Sequence, residues 1–389
     1  MRQMIKAFAA SSVALVLAAC GGGGEGGTGS SMGTMRVSLT DAPSCGYDAV
    51  HVSIEKVRVH ASASAGDADG GWYDIVVSPT HRVDLMTLTN GVLDELGQVA
   101  LPAGKYTQMR LVLADNGASQ PFANSVVPSG AAETALDTPS AQQSGLKMNV
   151  DIDIPADKVA DFVIDFDVCK SVVKRGNSGR YNLKPVLSVT PLLSDAGLRV
   201  VGYVEPAIAL GSTNVSVQFN GVPVKSTVPE ASGRFVLYPV PVGQYDLVVS
   251  ATGRATAVVT GVPVVDTAHT TLNGLSVPIA PPLSAQRAVA GTVNPADATV
   301  RAVQNLSGGP RVEVAWAGVD ADTGAFATAL PMAAPVRVAF ASIGPFALGF
   351  VADVPATGLY TIEAARAGVV KLQPIDVAAT VQPLTFVFP

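Results

Sequence analysis

Charge is scarce in this chain. Only 14% of its 389 residues are Asp, Glu, Lys or Arg, against roughly 25% in an ordinary soluble domain. The shortage is not that of a disordered segment, because hydrophobic residues reach 48% and disorder goes with low apolar content. Positive charge is the scarcer sign: Lys+Arg 25 against Asp+Glu 31 gives a net −6, which argues against nucleic acid as a partner. Aromatics stand at 6%, too few for the interfacial girdles of a transmembrane barrel. No run is long and apolar enough for a membrane-spanning helix. The four histidines, His51, His60, His81 and His269, form no HExxH pair and no close zinc spacing. The one G-x-S-x-G match, Gly29 to Gly33, lies in a glycine stretch without the strand and helix a nucleophile elbow needs. No Walker loop or dinucleotide fingerprint follows a strand. We therefore expect a non-enzymatic protein without a cofactor.

Glycine and proline are plentiful, 38 and 27 residues, and they punctuate short apolar/polar alternations from Met35 to the end. Val37 and Leu39 alternate with Ser38 and Thr40, and Val215, Val217 and Phe219 repeat the pattern. Between Val50 and Val59 the apolar parity shifts near Glu55-Lys56, which predicts a β-bulge. Residues 114–148, rich in Ala, Ser, Pro and Asn, predict long loops between poor strands. Helix signals are weak; Val92 to Val99 is the one stretch suited to a turn or two. The fold class expected is all-β, with three consecutive β-sandwiches of immunoglobulin or transthyretin type.

The amino terminus has the three parts of an export signal: Arg2 and Lys6, the apolar run Ala7 to Leu17, and a short cleavage region. Leu17-Ala-Ala-Cys20 resembles the bacterial lipobox. That resemblance implies removal of residues 1–19 and acylation of Cys20, palmitate included, with the membrane as partner through the lipid anchor. More than one acyl chain is needed for stable anchoring. Loss of Arg2 and Lys6 moves the net charge from −6 to −8, so the anchoring falls to lipid rather than to a basic patch. Gly21 after the cysteine, by resemblance to bacterial sorting rules, favours the outer membrane. Residues 20–34 form the lipidated cysteine and a Gly/Ser tether, whose 14 residues from Gly21 to Thr34 span roughly 20 Å as a flexible coil.

Three cysteines are present, and an exported chain meets an oxidising compartment. With Cys20 assigned to lipid, a Cys45–Cys169 disulfide is the expectation; a pair of unlinked thiols is the alternative. The alternation Phe162, Ile164, Phe166, Val168 puts Cys169 on the polar face of a strand, beside Asp161, Asp165 and Asp167. Closing a loop of more than about 100 residues would be worth up to about 4–5 kcal/mol in the chain-entropy description.

The second half repeats itself. Val200-Val-Gly-Tyr-Val204 matches Val289-Ala-Gly-Thr-Val293, and Ser232-Gly-Arg-Phe235 matches Thr323-Gly-Ala-Phe326. Val240-Pro-Val-Gly-Gln-Tyr245 follows the first; Leu330-Pro-Met-Ala333 is its degraded counterpart. The pattern divides residues 198–283 from 286–389 near Pro281-Pro282. It resembles the carboxypeptidase regulatory-like family, a transthyretin-like β-sandwich grouped with carbohydrate-binding-like folds, which implies a spacer or accessory module without catalytic residues. Residues 35–194 carry Val37-Ser-Leu-Thr-Asp-Ala-Pro43, Val83-Asp-Leu85, Leu101-Pro-Ala-Gly-Lys-Tyr106, Arg110-Leu-Val112, Thr138-Pro-Ser140, Ser144-Gly-Leu-Lys147, Asp165-Phe-Asp167, Lys170-Ser-Val172 and Leu183-Lys-Pro185. In that order they resemble the bacterial lipoprotein domain of unknown function 4382, which implies an exported β-sandwich and no established activity.

Two places hold candidate chemistry. Asp151, Asp153, Asp157, Asp161, Asp165 and Asp167 are an oxygen-rich run that would suit Ca²⁺. A metal on Asp151, Asp153, Asp165 and Asp167 would permit a metal-assisted hydrolase. Yet Asp151/Asp153 alternate with Ile152/Ile154, and Asp165/Asp167 with Ile164/Phe166, the pattern of a solvated strand face. The loop from Thr138 to Gly145 offers Ser140, Gln142, Gln143 and Ser144 for hydrogen bonds to a sugar or peptide, with Tyr47, Trp72 or Tyr73 as stacking partners; a turn capping its own backbone is the alternative. The functional expectation is a lipid-anchored envelope protein that binds a glycan or an envelope protein, or serves as structure.

Overall fold

The computed structural model describes residues 31–41, 46–139, 144–194, 196–209, 213–341 and 348–389. Strands make up 57% of it and helix 4%, so the low helix signal of the sequence is matched by three sandwich-like modules in succession.

In the first module a four-stranded sheet runs Leu187–Pro191, Val159–Phe166, Met32–Asp41, Asp94–Pro102. The larger sheet facing it centres on Tyr47–His60, flanked by Gly104–Leu113 and Ser125–Pro128, with Leu146–Ile154 outside Gly104–Leu113. Between them lie Met35, Val37, Leu39, Val50, Val52 and Ile54, all fully buried. The first strand begins at Met32, so Gly33 and Thr34 belong to the sheet rather than the tether. The bulge is where the parity shift put it: Tyr47–His60 slips register between Ile54 and Lys56 against both neighbours. Residues 94–99 are strand, not helix; the short turn of helix falls earlier, at Leu85–Thr87, capped by the Asp84 carboxylate. Poor strands between loops, at Ser125–Pro128 and Thr134–Asp137, do occupy the Ala- and Ser-rich region.

The second module pairs a three-stranded sheet with a six-stranded one, and the third pairs three strands with four. The repeat is structural. A side chain at Gly202 would meet the Phe235 ring, and one at Gly291 would meet the Phe326 ring, so each glycine lets an aromatic lie across its strand. Gly233 and Gly324 precede those Phe strands at φ +83° and +69°, where a Cβ would strike the carbonyls of Val204 and Val293. The turn tyrosines also correspond. Tyr245 Oη donates to the Pro241 carbonyl at 2.9 Å, and Tyr106 Oη to that of Pro102 at 2.9 Å in the first module. The third module has lost this tyrosine, yet Tyr360 Oη reaches the equivalent Pro331 carbonyl from another strand at 2.8 Å.

The division near Pro281-Pro282 is not a clean one. Val336–Ala339, from within 286–389, pairs in parallel with Ala257–Val264 and brings Val351–Ala352 with it into the second module's sheet. Val336 lies in the second core, while Val248 and Val258 of the second module lie in the third. These two modules are therefore built as one packed unit. Phe219 departs from the inward pattern of Val215 and Val217: it ends its strand at the Asn220-Gly221 turn, where it is 58% exposed and lies edge-on to Tyr245 at 6.5 Å.

Candidate functional site

Strand Gly104–Leu113 bulges between Tyr106 and Gln108, which turns Gln108 and Arg110 to the side away from Met109 and Leu111. That face is roofed by the loop after His60. Ala65 in the loop accepts from Gln108 Nε2 at 3.0 Å and from Arg110 Nη2 at 2.7 Å. Arg110 is buried to 4% exposure and also pairs with the Asp67 carboxylate. Its Nη1 donates to the Ser144 carbonyl at 2.8 Å. Burial, then the nearby Arg58 charge, pulls the Arg110 guanidinium below its ordinary value.

Trp72 closes the loop over this strand. The Arg110 and Arg58 guanidinium carbons lie 4.7 Å and 4.8 Å from its ring centroid, and the His60 ring stands 5.0 Å away. Its indole N–H donates to the Gly66 carbonyl at 2.9 Å. Arg58 Nε and Lys56 Nζ share Asp74 at 2.8 Å and 3.0 Å. Burial works against the Asp74 carboxylate, but these two cations outweigh it and hold the carboxyl below its ordinary range. Lys147 Nζ donates to the Ala63 carbonyl at 2.7 Å. The result is an indole held beside two cross-strand guanidinium groups, a platform suited to stacking and to polar ligand groups.

Of the loop residues expected to bind a ligand, Ser144 and Trp72 meet at Arg110. Tyr73 does not join them. As Trp72's neighbour it points to the other face, where it packs edge-on against Tyr106 at 6.0 Å. Tyr47 likewise packs edge-on against Tyr181 in the first module, at 6.1 Å. Ser140, Gln142 and Gln143 lie outside the described residues, as do Cys20 and Cys45. Arg110 and Arg58 were missed as sequence candidates. The signal was an arginine and a glutamine two apart inside the strand Gly104–Leu113, charge where a strand should be apolar.

The acidic run is dispersed. Strands Leu146–Ile154 and Val159–Phe166 belong to opposite sheets of the sandwich, so the two aspartate pairs have no common face. Asp151 and Asp153 are exposed beside buried Ile152 and Ile154, as their alternation expects, and Asp151 meets Lys105 at 3.2 Å. Asp161 takes two hydrogen bonds from Arg36. Asp165 and Asp167 are not solvated, because another module covers them. Lys225 Nζ of the second module sits 2.7 Å from Asp165 Oδ1. Asp167 caps the short helix Val168–Ser171 by accepting from Lys170 N, which places Cys169 in a helical turn rather than on a strand face. Among the described residues no three of His, Cys, Asp and Glu converge as a metal site. The alternative of a Ca²⁺ set on Asp151, Asp153, Asp165 and Asp167 is therefore not assembled among the described residues.

The same junction reaches the third module. Lys170 Nζ lies 3.3 Å from Asp167 and 3.5 Å from Glu313. Burial opposes its charge, but Glu313 and then Asp167 raise the ammonium above its ordinary value. Arg301 continues the chain of charges, reaching Glu363 at 2.7 Å, Glu313 at 3.3 Å and the Gly221 carbonyl at 2.8 Å. The first module thus meets the second through Asp165–Lys225 and the third through Lys170–Glu313, while Arg301 of the third reaches a carbonyl of the second.

A serine, a histidine and a carboxylate also gather at Ser125, His51 and Glu133. Ser125 is fully buried, and its hydroxyl donates to Glu133 Oε1 at 2.6 Å while accepting from Arg82 at 3.0 Å. A nucleophile must be open to substrate, so this group holds strands together instead.

Among curated proteins, none matches the chain. Of solved structures, a type II cohesin–X-dockerin complex from Acetivibrio cellulolyticus is similar at 24% identity and TM-score 0.19, over 22% of this chain. The chain spans 56% of that protein's length. A streptococcal ancillary pilin is similar at 9% identity and TM-score 0.16, over 91% of this chain and 98% of that one. Residues 32–185 match the family described as Domain of unknown function (DUF4382), and it is to this domain that the Arg110–Trp72 face belongs.

Proposed function

We propose that this is a lipid-anchored protein of the bacterial outer membrane that binds rather than catalyses, through the Trp72–Arg110 face of its first module. One observation carries the reading: Trp72 and Ser144, distant in sequence, converge on one buried arginine and form a fixed aromatic and cationic surface. The ligand is a glycan or another envelope protein. The lipobox-like Cys20 supplies the anchor, and the following glycines a short tether. The second and third modules, similar in motif to carboxypeptidase regulatory-like repeats, act as spacer and support.

The Cys45–Cys169 bond belongs to this reading. Cys169 is not a free thiol. Asp41, four residues before Cys45 in the sequence, lies opposite Phe166, and its carboxylate accepts from Val168 N at 3.1 Å.

The binding claim is tested on a glycan array and on immobilised envelope proteins, with the mature chain and its Trp72→Ala variant. Specific binding that Trp72→Ala abolishes is the expected result. Binding that this variant leaves unchanged assigns recognition elsewhere, and no binding to either class overturns the reading.

A further inference from the structure

A cleft of about 300 Å³ lies between the first and third modules, apart from the Trp72 face and the acidic junction. Asn182, Lys184 and Pro185 form one wall, and Asp297, Trp316 and Val319 the other. Its volume falls at the small end of ligand sites, which favour such boundaries between domains.

The lining has a distinct chemistry. Trp316, one of only two tryptophans, is half-buried on strand Arg311–Ala317. Lys170 Nζ lies 5.2 Å from its ring centroid and lines the neighbouring cleft rather than this one. Asn182 Oδ1 is buried without a hydrogen-bond partner. A donor group that reached this oxygen, by rotation of the amide, would satisfy it without breaking an existing bond there. Lys184 Nζ donates to the Asp297 carbonyl and so ties the two walls together.

A suitable occupant is small, offers a flat apolar face to the indole, and carries groups that both donate to and accept from an amide. A purely apolar molecule would leave Asn182 unsatisfied. The one cation of the lining, Lys184, is matched by its one carboxylate, Asp297, so the lining has no net charge to select an anion. A sugar ring meets all the requirements, with its C–H face on the indole and its hydroxyls on the amide. We propose that this cleft binds a neutral pyranose residue, stacked on Trp316 and hydrogen-bonded to Asn182. The proposal rests on the reading of the chain as a binding protein but concerns a different surface.

With two tryptophans, each surface can be given its own reporter. Under excitation selective for tryptophan, only Trp316 reports in the mature Trp72→Phe protein and only Trp72 in Trp316→Phe. Both are titrated with the methyl β-glycosides of glucose, galactose and N-acetylglucosamine at millimolar concentrations. The expected result is a saturable change in Trp316 emission with at least one of them, weakened about ten-fold by Asn182→Leu as one hydrogen bond is lost. A thermal melt of each variant establishes that it is folded. Unchanged Trp316 emission with all three probes overturns the proposal, as does a response that Asn182→Leu leaves intact. A response confined to Trp72 overturns it too, while leaving the Trp72–Arg110 reading standing.

Discussion

Lys225 Nζ rests 2.7 Å from Asp165 Oδ1 in a pair that joins the second module to the first, with the lysine side chain 3% exposed and the aspartate 13%. Removing one partner from such a pair strands a charge away from water and costs about 3–5 kcal/mol. Asp165→Asn is therefore expected to lower the stability of the intact chain by that order in urea denaturation. The double variant Asp165→Leu/Lys225→Met should recover most of the loss, since an apolar replacement of both partners is often neutral. A loss from Asp165→Asn below about 0.5 kcal/mol would mean the pair behaves as an exposed one.

The strand Val336–Ala339 makes the second and third modules a single unit. Val336 N donates to the Thr256 carbonyl and Phe340 N to that of Thr260, both at 2.8 Å. Val338, opposite Val259, sits between them. Val338→Pro removes a donor from the middle of this ladder. Its effect should spread to both cores, so hydrogen exchange should quicken in Val215–Val217 and in Val300–Val303 together. Faster exchange confined to one module would show that the two fold independently.

The tyrosine hydroxyls that reach the turn prolines are expected to contribute about 0.5–1.5 kcal/mol each, the usual net worth of one hydrogen bond. Tyr245→Phe and Tyr360→Phe delete only the hydroxyl. Tyr360 is the more telling, because its hydroxyl is buried against Pro331 and burial pushes its pKa well above the ordinary 10.0. Thermal melts should rank Tyr360→Phe as the costlier change.

Glu133 sets an acid limit. The Ser125 hydrogen bond, opposed by burial and helped by the Arg82 and His51 charges, holds its carboxyl below the ordinary 4.5. A depressed folded pKa gives stability that is present above the ordinary value and lost as pH falls through the folded one. The chain should therefore weaken below about pH 4.5. Ser125→Ala should be less stable at neutral pH and show a shallower acid loss. An acid loss as steep as that of the parent would remove Glu133 from the explanation.

Features set by local rules could be read in the residues. The bulge at Glu55-Lys56 showed in a change of apolar parity, and the repeat showed in Gly202 with Phe235 and Gly291 with Phe326. Phe219 was misplaced because alternation does not show where a strand runs past its core: it keeps the parity of Val215 and Val217 but stands at the Asn220-Gly221 turn. Asp165 and Asp167 look solvated along their own strand. Only the arrival of Lys225, 60 residues away, and the sharing of Lys170 with Glu313 make them part of a buried junction. The Arg110 cluster was hidden for the same reason, since a loop, a strand and the Ser144 carbonyl meet there only after folding.

The most direct test of an anchored, exported protein is peptide mass spectrometry under non-reducing conditions on the chain extracted from its own membranes. The expected result is an amino-terminal peptide beginning at Cys20 with acyl chains attached, and a crosslinked peptide pair containing Cys45 and Cys169. An amino terminus that retains residues 1–19, or an unmodified Cys20 thiol, would contradict it.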